Sequence, residues 1–265
     1  MDKRPPKGTA QKPRFHVSLF VSCLADLFRP SVAFNSILLL ESAGCSVSVP
    51  VQQTCCGQPA YNTGDYEAAI PVAQQLIEAF EGSDYVVVPS GSCAAMISQH
   101  YPTILEGQWR QRAIDLAAKT HELTAFLADI AKFETATTPS GASLPSIAYH
   151  DSCSGLRELG IQDQPRKLLT PLSGSEVTEL AHAEQCCGFG GTFCSKMPAL
   201  ADKMVDDKID SFLASDSQIL AGGDLGCLMY IAGRAKRRGQ AIEVRHIAEL
   251  LTLDTAGPAI GEEDS

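Results

Sequence analysis

Hydrophobic positions along this chain fall into two kinds of run that alternate. Short runs rich in β-branched residues, interleaved with polar ones, have the period of a strand. Phe15–Ser22, Cys45–Val51 and Asp84–Pro89 are the first three. Between them lie longer runs with apolar residues three and four apart, the period of a helix that buries one face. Pro30–Leu40, closed by Gly44, is one; Asp65–Phe80, with Asp65 as N-cap, is another. A further helix is expected to start at the Ser90-Gly91-Ser92-Cys93 turn. Trp109–Ile130 keeps the helical period without a break and predicts one long amphipathic helix.

The plan then recurs. Strands are expected at Ser146–His150, Glu176–Leu180, Gln218–Ala221 and Ala241–Arg245, with helices at Pro165–Leu172, Pro198–Ala214, Leu228–Arg237 and His246–Leu251. Strands that alternate with helices imply parallel pairing, because a parallel pair needs a crossover. Crossovers of one hand gather the strand C-termini along one edge. The expected fold class is α/β: two tandem pseudo-symmetric cysteine-rich domains, each a mostly parallel sheet flanked by helices. The expected boundaries are a disordered basic arm over 1–14 and a first domain over 15–133. A Thr/Ser/Pro/Gly-rich linker over 134–146 leads to a second domain over 147–254 and a disordered tail over 255–265.

Composition narrows the class. The chain has 265 residues, 45% hydrophobic and 20% charged, which is ordinary for a soluble globular protein. A net charge of −10 argues against nucleic acid as a partner. No apolar run reaches the roughly 18–20 residues of a membrane span. The first residues, MDKRPPKGTAQKPR, lack the apolar core of a secretory signal, so a cytoplasmic location is expected. In a reducing compartment, ten cysteines point to metal ligands or redox centres rather than to disulfides.

The spacing of those cysteines is the strongest signal. Cys-Cys-Gly occurs twice, at Cys55-Cys56-Gly57 and Cys186-Cys187-Gly188. In the first half, 31 residues separate Cys23 from Cys55 and 36 separate Cys56 from Cys93. In the second, 32 separate Cys153 from Cys186 and 39 separate Cys187 from Cys227. All eight fall just past the end of an expected strand, so four thiols converge per half at the usual ligand crevice of open α/β folds. Converging thiolates repel one another unless a cation holds them. Gly57, Gly91, Gly188, Gly190, Gly191 and Gly226 let backbone N–H groups approach the sulfurs. Cys93 and Cys227 stand at expected helix N-termini, which favours the thiolate. Four thiolates suit an iron–sulfur cluster or a structural zinc. The paired C-x-x-C knuckles common in zinc sites are missing here, and adjacent cysteines reach separated iron atoms more readily than one tetrahedral ion. Zinc in one half stays open as the alternative.

These residues resemble the cysteine-rich CCG family, which includes heterodisulfide reductase and the iron–sulfur subunit of glycolate oxidase. The segments QTCCGQPAYNTG, VVVPSGSCAAM, YHDSCSGLRELG, QPRKLL, CCGFGGTF, GDLGCLMYIAGR and RHIAELL carry the resemblance, which covers nearly all of residues 15–253. It is closest to a lactate-oxidising branch. The resemblance implies an iron–sulfur subunit, with 4Fe-4S clusters, of a multiprotein complex that oxidises L-lactate to pyruvate. Two sister subunits and an electron acceptor are the implied partners. It also implies that Cys23, Cys55, Cys56 and Cys93, and Cys153, Cys186, Cys187 and Cys227, are the cluster ligands. A glycolate or other 2-hydroxy-acid oxidase, or a heterodisulfide-reductase-like thiol oxidoreductase, is the neighbouring alternative; a zinc-stabilised scaffold is the alternative of another class. Two departures matter. The heterodisulfide reductase motif ends in C-x-x-C, whereas Met96 and Tyr230 stand at the final position here, which favours four thiolates over five. Ser154 stands where relatives often carry histidine.

Other candidates are weaker. Cys45 reads as a core thiol, Cys194 as an ordinary buried thiol or a spare ligand or redox-exchange thiol near the second cluster, and His150 as either a strand-end residue or a hydrogen-bond donor to a cluster sulfur. His182 reads as exposed. His121 and His246 appear at matching places in the two halves and read as helix-start residues. Gly188–Gly191 is a poor dinucleotide fingerprint. The RAKRR run at 234–238 reads as a solvated helix end or a dock for an acidic partner. No acid–base pair beside a substrate pocket is recognisable, so the chain alone is not expected to turn over lactate.

Overall fold

A computed structural model describes residues 15–135, 144–174 and 176–262. The arm over 1–14 and most of the linker lie outside these residues. The fold is α/β, with two four-stranded sheets that are parallel throughout. The first contains β1 (Phe15–Leu19), β2 (Cys45–Ser48), β3 (Tyr85–Val88) and β4 (Thr120–Glu122), in the order β2-β1-β3-β4. The second contains β5 (Ile147–His150), β6 (Thr178–Glu179), β7 (Ile219–Gly222) and β8 (Glu243–His246), in the order β6-β5-β7-β8. The duplication read from the cysteines is thus a duplication of topology.

Alternation along the strands sorts the cores. On β5, Ile147 and Tyr149 enter a core that both halves share with Val17, Leu19, Phe126 and Ile247, while Ala148 faces the other way. On that far side each sheet is covered by its own long helix. Tyr66–Phe80 covers the first, with Asp65 accepting from the Ala68 N–H at 3.1 Å as its N-cap, and Pro198–Leu213 covers the second. The thiols sit at the C-terminal edge, under these covering helices.

Three expectations need correction. The long helix over Trp109–Ile130 is a helix Gly107–Ala117, then strand β4, then a second helical stretch from Leu123. Ala113, Leu116, Thr120, Leu123 and Leu127 are all buried, so the three-and-four spacing runs straight through the strand and hides it. Pairing with β3, Val86 beside Thr120, overrides that local pattern. The basic run is not a free surface: Arg234 bonds Asp202 and Asp206 at 2.8 Å each, and Arg238 bonds Asp210 at 2.6 Å. Its acidic partner is the neighbouring helix Pro198–Leu213. Finally, the expected tail is ordered as far as Glu262. Ala259 and Ile260 are buried, and the Arg29 and Arg245 guanidiniums donate to the Pro258 carbonyl.

Candidate metal centre

Four loops build each thiol basin. Cys23 and Cys153 are the first residues of short helices, Cys23–Phe28 and Cys153–Arg157, capped by the Ser22 and Ser152 side chains. Cys93 and Cys227 are the third residues of the helices starting at Gly91 and Leu225, so both expected helix starts are present. The Cys-Cys-Gly turns come seven residues after β2 and β6. Both turns need glycine: Gly57 has φ +81° and Gly188 φ +88°, and a side chain at Gly188 would stand 2.6 Å from the Ala201 carbonyl oxygen.

The eight expected ligands come together in two groups of four. In the first, the Cys23 and Cys55 Sγ atoms lie 3.8 Å apart and those of Cys56 and Cys93 3.3 Å apart. Cys55 and Cys56 also interact through their thiols. In the second, Cys153 and Cys186 lie 3.9 Å apart, and Cys187 interacts with both Cys186 and Cys227. All eight are thiols rather than disulfides, well beyond the ~2 Å of a sulfur–sulfur bond. Backbone N–H groups reach the sulfurs, as the glycines led us to expect. Gly57 donates to Cys55 Sγ, Gly188 to Cys186 Sγ and Phe189 to Cys187 Sγ, each at 3.4 Å.

Crowding decides the protonation. Cys55 accepts from the Cys23 and Cys56 thiols, which hold it far below the ordinary cysteine range. The donation to Cys55 pushes Cys23 and Cys56 up in turn, and burial adds to it. In the second group the Cys186 contact and burial push Cys153 up; the Cys187 contact lowers Cys227, but burial and the Asp224, Cys153 and Cys186 charges together outweigh it and raise that thiol to about 11. Without a cation, then, thiols this close resist losing their protons together. A bound metal reverses this by taking the thiolates directly.

Other donors nearby are few among the described residues. Cys45 is buried in the shared core and Cys194 is half-buried. Met96 is fully buried in apolar surroundings, and Tyr230 donates to Asp202 at 3.1 Å, so the fifth position of each motif offers no thiol. His150 differs. It is 1% exposed, both ring nitrogens lack a partner, and one lies within 4.8 Å of the Cys187 and Cys227 sulfurs. Burial and the Lys208 charge hold its pKa down at about 3, so the ring is neutral and can donate or ligate. The four thiols and this orphaned imidazole fit a metal or cluster in the second half; the four thiols fit one in the first.

The pairing expected for His121 and His246 shifts by one residue. β3 sets Val88 beside Glu122, and β7 sets Gly222 beside His246, so Glu122 is the counterpart of His246. Both cap the following helix: Glu122 accepts from Thr124 N–H at 2.7 Å and His246 from Ala248 N–H at 3.2 Å. A second arrangement escaped the sequence altogether. The second basin opens into a cavity of about 230 Å³, lined by its four thiols together with His100 and Glu158. His100 Nε2 and Glu158 Oε2 lie 2.6 Å apart, and the His100 ring stacks on Tyr61 at 4.5 Å. A hydrogen-bonded His–Glu pair thus stands at this cavity. No motif signals it, because its members come from different halves.

A pair of parallel α/β units, each closing four thiols at the sheet edge, makes a duplicated cysteine-rich protein whose thiols are compatible with a metal or an iron–sulfur cluster. The cysteine-rich CCG domain is matched at residues 17–98 and again at 147–232, and the chain belongs to that family. The chain is 50% identical over 238 residues to lactate utilization protein A of Geobacillus kaustophilus (strain HTA426), 89% of this chain and 98% of that one. It is 49% identical to lactate utilization protein A of Geobacillus thermodenitrificans (strain NG80-2) and 45% identical to that of Bacillus thuringiensis (strain Al Hakam), over the same shares. No helix among the described residues is long and apolar enough to cross a membrane.

Proposed function

We propose that this chain is the iron–sulfur electron-transfer subunit of a multiprotein complex that oxidises L-lactate to pyruvate. The observation that carries the reading is the convergence of Cys23, Cys55, Cys56 and Cys93 in one basin and Cys153, Cys186, Cys187 and Cys227 in the other, on a chain half identical to lactate utilization protein A. A 4Fe-4S cluster in each basin would supply one-electron transfer. The protein holds it with thiolates, aims the Gly57 and Gly188 N–H groups at sulfur, and shields it with apolar neighbours such as Phe20 and Phe189. All three factors set a cluster's potential.

The chain works with two sister subunits and passes electrons to an acceptor in the cytoplasm. Phe34, Val49 and Val51 are exposed along a groove that ends on Cys23 and Cys55, an apolar surface that a sister subunit would cover. Such a contact brings a partner's redox centre close to the first basin. Anaerobic purification tests the reading. A brown protein with iron and acid-labile sulfide, inactive toward L-lactate alone and active with its two sister subunits, is the expected result. Robust turnover by the loaded chain alone contradicts it.

A second reading has one observation in its favour. His150 adds a nitrogen donor beside the Cys187 and Cys227 sulfurs in the second half alone, whereas the 3.8 and 3.9 Å thiol pairs of the two basins lie equally close to the edge, about 3.8 Å, of a tetrahedron of 2.3 Å zinc–sulfur bonds. Zinc in the second half with iron in the first would give a colourless, redox-silent second basin.

A further inference from the structure

Behind their thiols the two halves match position by position, and at two buried positions they differ in chemistry. β1 pairs Val17 with Tyr85, and β5 pairs Ile147 with Ile219. Three residues further along are Phe20 in the first half and His150 in the second, each followed by Ser-Cys at the same spacing. On the covering helices the buried residues Ala69, Leu76 and Phe80 correspond to Ala201, Lys208 and Phe212. Phe20 and Leu76 pack in the apolar cluster that contains Cys56 and Cys93. His150 and Lys208 replace them in the second half, and Lys208 is only 1% exposed.

Lys208 is held, not stranded. Its Nζ donates to the His182 and Ala183 carbonyl oxygens at 3.0 and 3.3 Å, in the loop that leads into Cys186-Cys187. Burial lowers its pKa, and Cys187, Asp151, Cys186 and Cys227 act against that. Asp151 is already paired with Arg166 at 2.8 Å, so once a cluster takes the four sulfurs as thiolates they are the uncompensated charge facing Lys208. His150, with neither nitrogen hydrogen-bonded, has one N–H to offer a sulfur of whatever the basin holds.

We infer that the two basins are unequal electron sites: Lys208 and His150 hold an added electron in the second basin more tightly than Phe20 and Leu76 hold it in the first. This rests on the reading that both basins carry iron–sulfur clusters. Reduction adds one negative charge. A buried ammonium and an N–H donor to sulfur both stabilise that charge, and poor screening in a dry interior makes the effect large. A hydrocarbon pair such as Phe20 and Leu76 offers neither. With a cluster in each basin, an electron delivered to the first by a partner's redox centre would pass to the second, the first being reoxidised as the second is reduced, with no bond broken and no proton moved. Lys208 and His150 are positioning residues in this step.

The test is a redox titration of the full-length, anaerobically loaded chain, followed by electron paramagnetic resonance, with iron and sulfide counted first. Two reduction steps are expected, and Cys187→Ser should remove the one at higher potential. Lys208→Leu, which installs the residue of the first half, should lower that step by at least the equivalent of about tenfold in electron affinity, about 59 mV for one electron. The step lost in Cys56→Ser should stay where it is. His150→Phe should move the higher step the same way, and Lys208→Met provides a second neutral variant if Lys208→Leu loads poorly. The order of the two steps, assigned with Cys187→Ser and Cys56→Ser, decides without recourse to the Lys208 and His150 variants. If the second basin takes its electron at the lower potential, or if its step ignores Lys208 in a fully loaded variant, the inference is overturned while the iron–sulfur reading stands. Iron in one half only, or zinc in the second, removes the pair and overturns it as well. No iron in either half overturns the functional reading itself.

Discussion

Asp224 Oδ2 accepts a hydrogen bond from the Ser92 backbone N–H at 2.8 Å, tying the turn before Cys227 to the turn before Cys93. Asp224 and Ser90 are the N-cap residues of equivalent helices, and the Ser90 hydroxyl lies 3.3 Å from the same carboxylate oxygen. One buried carboxylate therefore sets the relative position of a thiol in each basin. Asp224→Ala strands the Ser92 N–H at the junction and is expected to cost about 1–3 kcal/mol. Chemical denaturation measures it, and a loss below ~0.5 kcal/mol would show that the link carries no weight.

Glu122, also buried between the halves, predicts a pH dependence. Burial raises its pKa from the ordinary 4.5 to about 7, against the Thr124 and Ala125 bonds that lower it; Asp224 adds to the rise. The carboxyl's other neighbour at this junction is the Tyr149 hydroxyl, which faces Gly223 beside it. The folded state therefore holds the proton more tightly than the unfolded chain does. The stabilisation from this is complete below about 4.5 and is lost as pH rises to about 7, a change on the order of 3 kcal/mol. Denaturation of the metal-free chain against pH, compared with Glu122→Gln, isolates it. The variant should lack that part of the slope, and identical profiles would contradict the assignment.

Arg166 anchors the loop that carries Cys153. Its guanidinium bonds both oxygens of Asp151 at 2.9 and 2.8 Å, and Glu179 at 2.6 and 2.7 Å. The Asp151 side chain is 1% exposed. Arg166→Ala leaves that carboxylate buried and unpaired, at a cost of about 3–5 kcal/mol. Arg166→Lys should recover part of the loss, because a point charge replaces only one arm of the fork. Equal stability of Arg166→Ala and the unsubstituted chain, measured by thermal melting at neutral pH, would refute this account of Asp151.

Much of the site was legible in the sequence because its signals are covalent and local. The repeated Cys-Cys-Gly turns, the strand runs before them and the near-equal spacings place four thiols at each sheet edge without reference to tertiary contacts. What escaped reading depends on contacts that sequence spacing does not record. β4 was hidden because Thr120 continues the helical spacing of Leu116 and Leu123, and only pairing with β3 makes it a strand. Glu122, not His121, matches His246 for the same reason: register with β3 and β7 fixes the equivalence. The RAKRR run looked solvated because Asp202, Asp206 and Asp210, spaced four apart on another helix, are invisible as its partners until the helices pack. His100 and Glu158 come from separate halves and meet only at the cavity. Lys208 was readable in hindsight: aligning the two covering helices puts it against Leu76, a comparison the duplication itself invites.

The central claim is that eight particular thiols hold iron, four in each half. The most direct measurement is iron and acid-labile sulfide per chain, after anaerobic loading, in Cys56→Ser, Cys187→Ser and Cys45→Ala. Each serine variant should lose about half the iron and sulfide of the unsubstituted chain and one of two paramagnetic signals, because each removes one of the two buried thiols of its basin. Cys45→Ala, in the shared core, should keep both in full. Unchanged iron in Cys56→Ser and Cys187→Ser, or a loss in Cys45→Ala as large as theirs, would contradict the claim.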